Sequence, residues 1–311
     1  MSLLAEIRTI FTGLSKGSAR ALELPSGYPA WIIRTNEGLV GAGIPCNRDE
    51  PLYEKFSMVR LQYIQAVQIA DTTQNILFLY IEPEDGSVAD AAMEFASLCA
   101  DFVQPGESGS NRLAIVADPA AWWKRWKELM GNRSTEQQVH AVAGELFFYR
   151  WLLRQGSEVS WTGGSYKRVD FSAAEDDYEV KSTLQRYGMT VTIHGEYQLK
   201  CAPGKKLSLI LCRLEEIEGG ESINDLVEDL CQLGLSRDEL EQELEKLGLK
   251  LGMSNRKRGW HMLELKRYPV TDRFPRITAD DFAGGKFPEG IARLQYDVDL
   301  ANLPCDSLLV E

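Results

Sequence analysis

The run Leu207-Ser-Leu-Ile-Leu-Cys-Arg-Leu214 constrains the fold of this chain more than any other stretch. A strand this continuously apolar is of the type buried on both faces of a sheet. Upstream, Val139, Val142, Leu146, Tyr149 and Leu153 recur at helical spacing. The capping box Ser134-Thr-Glu-Gln137 starts that helix and Gly156 stops it. Short strands are expected between the helix and the buried run, at Glu158 to Thr162, Val169 to Ser172, Tyr178 to Thr183 and Thr190 to Ile193. Turns fall at Gly163-Gly164 and Glu175-Asp176-Asp177, and a short helix over Glu196 to Cys201 is closed by Pro203-Gly204. The order helix, strands, helix, strand predicts an α/β (α+β) core built on a mixed β-sheet.

The flanks read differently. Strands are expected at Ala30 to Ile33, Val59 to Ile69 and Asn75 to Ile81. A break at Pro83, Asp85 and Gly86 precedes a helix from Ala89 to Phe102, and the loop Pro105 to Ser110 leads to a helix carrying Trp122, Trp123 and Trp126. The division predicted is an N-terminal β-rich domain over residues 1–120, the core over 121–214 and a C-terminal α+β region over 215–311. That last region opens with two helices, Ile223 to Leu233 and Arg237 to Leu247. Followed by a hairpin, they suggest a winged helix, but residues 222–247 hold eight acids against Arg237 and Lys246. Such helices repel phosphates, so they are expected to pack rather than read DNA.

With 44% apolar and 26% charged residues among 311, the chain has a soluble globular profile. No apolar run approaches the ~20 residues of a membrane span, and Glu6 and Arg8 interrupt the N-terminal apolar stretch, against a secretory signal. The six cysteines form no CxxC pair and the three histidines are isolated. A disulfide framework and a zinc site are therefore not expected, and a reducing cytoplasm is the expected compartment. The net charge of −12 is unevenly spread: −7 over residues 1–120, +4 over 121–214 and −9 over 215–311. A local basic surface on an acidic protein points to a polyanionic partner held at one place.

The chemistry concentrates in the basic third. In a strand, residues two apart share a face, so Glu179 and Lys181 project together while Tyr178 and Val180 pack inward. On the neighbouring strand Val169 and Phe171 face the core and Asp170 points away. A turn at 175–177 then brings Asp170 beside Glu179 and Lys181. Glu145 stands on the otherwise apolar helix side of Val142, Tyr149 and Leu152, where a carboxylate needs a partner or a cation. Carboxylates converging with a lysine suit Mg²⁺-assisted phosphodiester hydrolysis, because Mg²⁺ takes oxygen ligands and keeps several waters. Lys181 is assigned to positioning water and stabilising charge on phosphorus. A second Glu-x-Lys, Glu264-Leu-Lys266, has no acid between Lys246 and Leu263 and so lacks an upstream aspartate on a neighbouring strand.

The segments Gly144-Glu-Leu146, Trp161-Thr-Gly163, Val169-Asp-Phe171, Tyr178-Glu-Val-Lys-Ser-Thr183 and Gln198-Leu199 resemble, in this order, the PD-(D/E)XK nuclease superfamily. More narrowly the chain resembles a branch found in bacterial restriction-modification-like defence cassettes, a likeness that extends to Phe274-Pro275 and Tyr296 to Leu300. The resemblance implies a restriction-endonuclease-like core and a Mg²⁺- or Mn²⁺-dependent DNA endonuclease, or nuclease subunit, of a restriction or phage-defence system. It implies Asp170 and Glu179, with Glu145 as accessory acid, on the metal, Lys181 serving the attacking water and Gln198 near the site. Val169 stands where the superfamily name has proline. Inactive members exist, so the alternative is a nuclease-fold protein that only binds nucleic acid or scaffolds a defence complex. DNA, other cassette subunits and, because cutting both strands commonly needs two sites, a second copy are the implied partners; no membrane is.

Lys200, Lys205 and Lys206, after the second core helix, and the basic loop Arg256-Lys257-Arg258 are candidate DNA contacts. The tryptophan helix with Lys124, Arg125 and Lys127 could stack on bases, but buried tryptophans beside solvated lysines give the same string, and packing is the favoured reading. No serine or cysteine has a recognisable histidine partner, which weighs against a covalent hydrolase.

Overall fold

A computed structural model describes residues 2–25, 27–82, 89–129, 136–162, 169–195, 198–285, 288 and 294–308. Ser134, the break at 83–86, Gly163-Gly164 and Glu196 lie outside them. The chain forms two compact units, Met1–Asn132 with Leu251–Ser254, and Arg133–Lys250 with Asn255–Glu311.

The first unit holds α1 (Leu3–Gly13), β1 (Ser18–Ala21), β2 (Trp31–Arg34), β3 (Val40–Pro45), β4 (Tyr53–Phe56), β5 (Val59–Ile69), β6 (Thr72–Ile81), α2 (Ala89–Val103), α3 (Ser110–Ala117) and α4 (Pro119–Leu129). The strands make an antiparallel sheet in the order β1-β2-β3-β6-β5-β4. Helix α1, capped by Ser2, turns Ile7, Ile10 and Phe11 inward, and Phe11 stacks on Phe95 of α2. Trp122 and Trp123 are buried in the same core, and the indole N–H groups of Trp122 and Trp126 both donate to Asp101 Oδ2. The tryptophan helix therefore packs. Because α4 belongs to this core, the expected boundary at 120/121 falls inside a helix.

The second unit holds α5 (Glu136–Arg154), β7 (Ser160–Trp161), β8 (Phe171–Ser172), β9 (Asp176–Thr183), β10 (Thr190–His194), β11 (Lys206–Glu221), α6 (Ile223–Gln232), α7 (Arg237–Lys246), β12 (Trp260–Pro269), β13 (Gln295–Asp299) and β14 (Asp306–Ser307). Its main sheet runs β14-β12-β11-β9-β8-β7, with β9 and β11 parallel and the other neighbours antiparallel. The expected boundary at 214/215 falls inside β11, and β12 and β14 extend the same sheet. β11 explains why: Ile210, Cys212 and Leu214 enter a core shared with α5, α6 and α7, whereas Leu207, Leu209 and Leu211 enter one shared with Val191, Ile193, Phe274 and Val298. A strand buried on both faces recruits cover from both sides of the sequence.

Two further expectations are corrected. β10 leaves the main sheet and pairs with β13. Where a helix was expected over 196–201, Gln198 and Leu199 form a turn, so the described link between the parallel strands is β10 and turns.

Close approach of α5 to the sheet sets the position of the candidate site. A Cβ on Gly144 would lie 2.0 Å from Ser182 Oγ and 3.3 Å from Cys212 Cβ, so glycine lets the helix seat on β9 and β11. Arg150, one turn and a half further along, is buried and donates to Glu221 and Asp229, tying α5 to α6. Gly144→Ala should overpack this contact by about 1–3 kcal/mol, and adding Ser182→Ala should recover part of the loss. Thermal melts of the two variants check this; an unchanged melting temperature in Gly144→Ala would show that the helix is free to shift.

Candidate active site

Antiparallel pairing of β8 with β9 sets Phe171 opposite Tyr178. Asp170 lies in the bend just before β8. Its N–H donates to Tyr178 O at 3.1 Å, while its Oδ2 accepts from Val180 N at 2.7 Å. The side chain thus satisfies a β9 amide that the two-residue strand β8 is too short to reach. Because the chain bends here, strand alternation does not extend to 169: Phe171 enters the α5 core and Val169 the opposite one, not the same core as expected. Aromatic contacts of Phe148 with Phe171 and Tyr178, at 5.5 and 5.3 Å, hold β8 and β9 against α5.

Glu179 sits in mid-sheet, opposite Leu209 of β11, and is only 2% exposed. Lys181, two residues on, places Nζ 2.8 Å from Glu179 Oε1 and 3.3 Å from Gln198 Oε1. That same amide oxygen accepts from His194 N at 2.8 Å, so the turn after β10 delivers Gln198 to the lysine. Glu145 Oε2 accepts from the indole N–H of Trp161 at 2.7 Å. The structure thus brings Asp170, Glu179, Lys181, Gln198 and Glu145 into one neighbourhood.

Its electrostatics are unbalanced. Burial, then the charge of Asp170, pushes the Glu179 carboxyl up to about 8 despite the Lys181 ammonium beside it. Burial also raises Asp170, against the Val180 N–H and Lys181. Glu145 is held well above the carboxylate range, first by burial and then by Asp170, with the Trp161 hydrogen bond opposing. The second Glu-x-Lys behaves oppositely. Burial is the largest single influence on Glu264 and raises it, but the hydrogen bonds and charges of Arg213 and Lys266 together outweigh it and the carboxyl lies below its ordinary range. Identical spacing gives a satisfied ion pair in one place and strained acids in the other. Such perturbation in a concentrated cluster is the mark of a functional site.

Oxygen donors short of positive charge fit a hard divalent cation. However, among the described residues no group of three His, Cys, Asp or Glu side chains is arranged to hold a metal ion. Glu145, on a different element from Asp170 and Glu179, spends one oxygen on Trp161. Mg²⁺ needs one or two carboxylates and completes its shell with water and phosphate. Asp170 and Glu179, each with one oxygen committed to a protein donor, meet that requirement.

The expected DNA contacts fare less well. Lys205 Nζ binds Ser172 Oγ, Ala173 O and Asp177 Oδ1 within 2.9 Å and so fastens the turn into β9. Arg256 is 1% exposed, donating to both oxygens of Glu241 and to Leu249 O. Arg258 pairs with Glu216 and lies over the Trp260 ring. Lys205, Arg256 and Arg258 thus spend their charge on contacts within the protein. Lys206 and Lys257 are exposed and Lys200 is part-buried.

Two residues escaped the sequence reading as functional positions. Besides the Trp161 contact, Thr162 donates to the Asp170 carbonyl from its N–H at 2.8 Å and from its hydroxyl at 3.1 Å. The pair Trp161-Thr162 therefore braces both an accessory acid and the backbone of Asp170. The available signal was a donor-bearing tryptophan and threonine ending a strand next to buried carboxylates.

A mixed sheet with a carboxylate bend, a Glu-x-Lys strand and a helix-borne glutamate is the arrangement that the PD-(D/E)XK resemblance implies. The chain matches over residues 11–301 the family model described as "Putative PD-(D/E)XK family member, (DUF4420)", and it belongs to that family. No curated protein and no solved structure matches it.

The raised Glu179 carboxyl makes stability depend on pH. Its folded-state proton affinity exceeds the unfolded one, so folding is favoured at low pH and loses free energy as pH rises from about 4.5 to about 8. Each tenfold difference in affinity is worth about 1.4 kcal/mol. Glu179→Gln should flatten that decline in metal-free thermal melts and be the more stable protein at the alkaline end. Equal slopes for the two proteins would contradict the buried, protonated carboxyl.

Proposed function

We propose that this protein is a Mg²⁺- or Mn²⁺-dependent DNA endonuclease, acting as the nuclease or nuclease subunit of a bacterial restriction or phage-defence system in the cytoplasm. The observation that carries the reading is the buried Glu179 carboxyl with the part-buried Asp170 and Lys181 gathered beside it, a set in which acids outnumber cations and burial raises both carboxyls. Asp170 and Glu179 would hold the ion. When bound, it supplies polarisation of a phosphoryl oxygen and a more acidic water. Lys181, steered by Glu179 and Gln198, orients the attacking water and places an ammonium where negative charge grows on phosphorus. Glu145, gripped by Trp161, places a third carboxyl group beside Asp170 and Glu179.

The membership in a nuclease family supports phosphodiester hydrolysis; the defence setting rests on the resemblance of the sequence to cassette-encoded nucleases. Among the described residues no helix is long and apolar enough to cross a membrane; the cytoplasmic setting rests on the scattered cysteines of the sequence. The other reading, an inactive nuclease fold that binds nucleic acid or scaffolds a complex, draws on the lack of a three-ligand cluster among the described residues.

Plasmid DNA incubated with Mg²⁺ or Mn²⁺ separates the two. Cleavage by the wild-type protein should fall at least about a hundredfold in Asp170→Ala and Lys181→Ala, the scale of losing one preorganised charge at a reacting centre. Equal cleavage by wild type and variants would defeat the assignment, and no cleavage by any of them would favour the inactive reading.

A further inference from the structure

The segment joining β9 to β10 departs two residues beyond Lys181 and displays what the rest of the molecule hides. Tyr187 is 85% exposed, more than any other large apolar or aromatic side chain among the described residues, and Leu184 is 45% exposed. The Arg186 side chain between them is 69% exposed. A tyrosine with so little packing contributes almost nothing to folding.

The segment is nevertheless built to hold its shape. Arg213 of β11, itself buried, donates from Nη1 to Gln185 O and from Nη2 to Gly188 O at 3.0 Å. Glu264 Oε2 fixes the same guanidinium from below at 3.0 Å. Gly188 takes a left-handed φ of 99°, which turns the chain back sharply under the tip. At the far end Met189 O accepts from Leu300 N at 2.9 Å. Burying a guanidinium is costly unless its donors are matched, and here the matched carbonyls are those of a surface loop. The arrangement stiffens a projecting aromatic tip.

Reach decides what the tip can meet. Tyr187 lies six positions beyond Lys181, a stretch that spans at most about 20 Å of extended chain. Duplex DNA advances about 3.4 Å per base pair, so the tip lies within about six base pairs of a phosphate bound at the lysine. Arg186 is held by Glu215 at 3.2 Å, but the guanidinium is exposed and the carboxylate only part-buried, and ion pairs in contact with water are weak enough for a phosphate to compete.

We propose that Tyr187 is a nucleobase-stacking contact of the DNA strand engaged at the site, with Arg186 on the adjoining phosphate. This rests on the nuclease reading above and names the part of the substrate that reading leaves open. Aromatic side chains stack on any base, so the contact anchors DNA without specifying sequence.

Fluorescence anisotropy of the full-length protein tests it, with a fluorescein-labelled mixed-sequence DNA of about two helical turns as duplex and as single strand, and Ca²⁺ in place of Mg²⁺. Loss of one stacked base weakens binding by about 5- to 100-fold. Tyr187→Ala should show that loss, and Tyr187→Phe should bind within about threefold of wild type because the ring is kept. Whichever form shows the larger loss identifies the form gripped. A strand carrying 2-aminopurine should change its fluorescence on wild-type and Tyr187→Phe binding but not on Tyr187→Ala binding. Unaltered affinity in Tyr187→Ala, or no DNA binding by the wild-type protein, overturns the proposal. Should wild type cleave while Tyr187→Ala binds and cleaves equally, the stacking contact falls and the nuclease reading stands. If wild type binds through Tyr187 without ever cutting, the contact stands and the nuclease reading falls.

Discussion

The carboxylate of Glu179 is the constraint around which the second unit is organised. It is buried in the middle of a sheet, close to two further acids, and Lys181 is its ammonium partner at 2.8 Å. Placing such a group in the interior costs several kcal/mol unless charge and hydrogen bonds compensate it. Here the compensation is incomplete, and the shortfall appears as protons held too tightly. A chain selected for stability alone would place an apolar residue on that strand. Retaining the acids makes sense as a site that is completed by something the folded chain does not itself supply.

The surrounding fold serves to keep these groups from relaxing apart. Gly144 lets α5 lie against β9. Trp161 and Thr162 hold Glu145 and the backbone of Asp170 from the neighbouring strand. Gln198 reaches Lys181 from the turn after β10. None of these contacts is strong alone. Together they fix Glu145, Asp170 and the Glu179–Lys181 pair, carried by three different parts of the fold, which a solvated strand face would not need.

Much of this was legible beforehand because two periodicities survive in the chain. β11, α5, α6, α7 and the Glu179–Lys181 face follow from apolar spacing, and β5 was read with its observed bounds. What escaped has physical causes. β3 was not anticipated because its glycines suggest a loop, whereas a Cβ at Gly41 would strike the Leu79 backbone and only glycine can pair there. The two-residue strands β7 and β8 are too short for alternation to place Val169. Domain limits failed at β11 because a strand with two buried faces belongs to everything that covers it. Lys205, Arg256 and Arg258 were misread because sequence does not say which carbonyls and carboxylates a cation will meet in three dimensions.

The account stands or falls on whether a divalent ion takes the place of the proton held at Glu179. Calorimetric titration of Mn²⁺ into the protein near neutral pH, in two buffers of different ionisation enthalpy, counts the protons set free. A carboxyl pushed up to about 8 is mostly protonated there and must lose its proton to bind metal. The account predicts release of about one proton or more for each ion bound. Binding without proton release, or no binding at all, would contradict it.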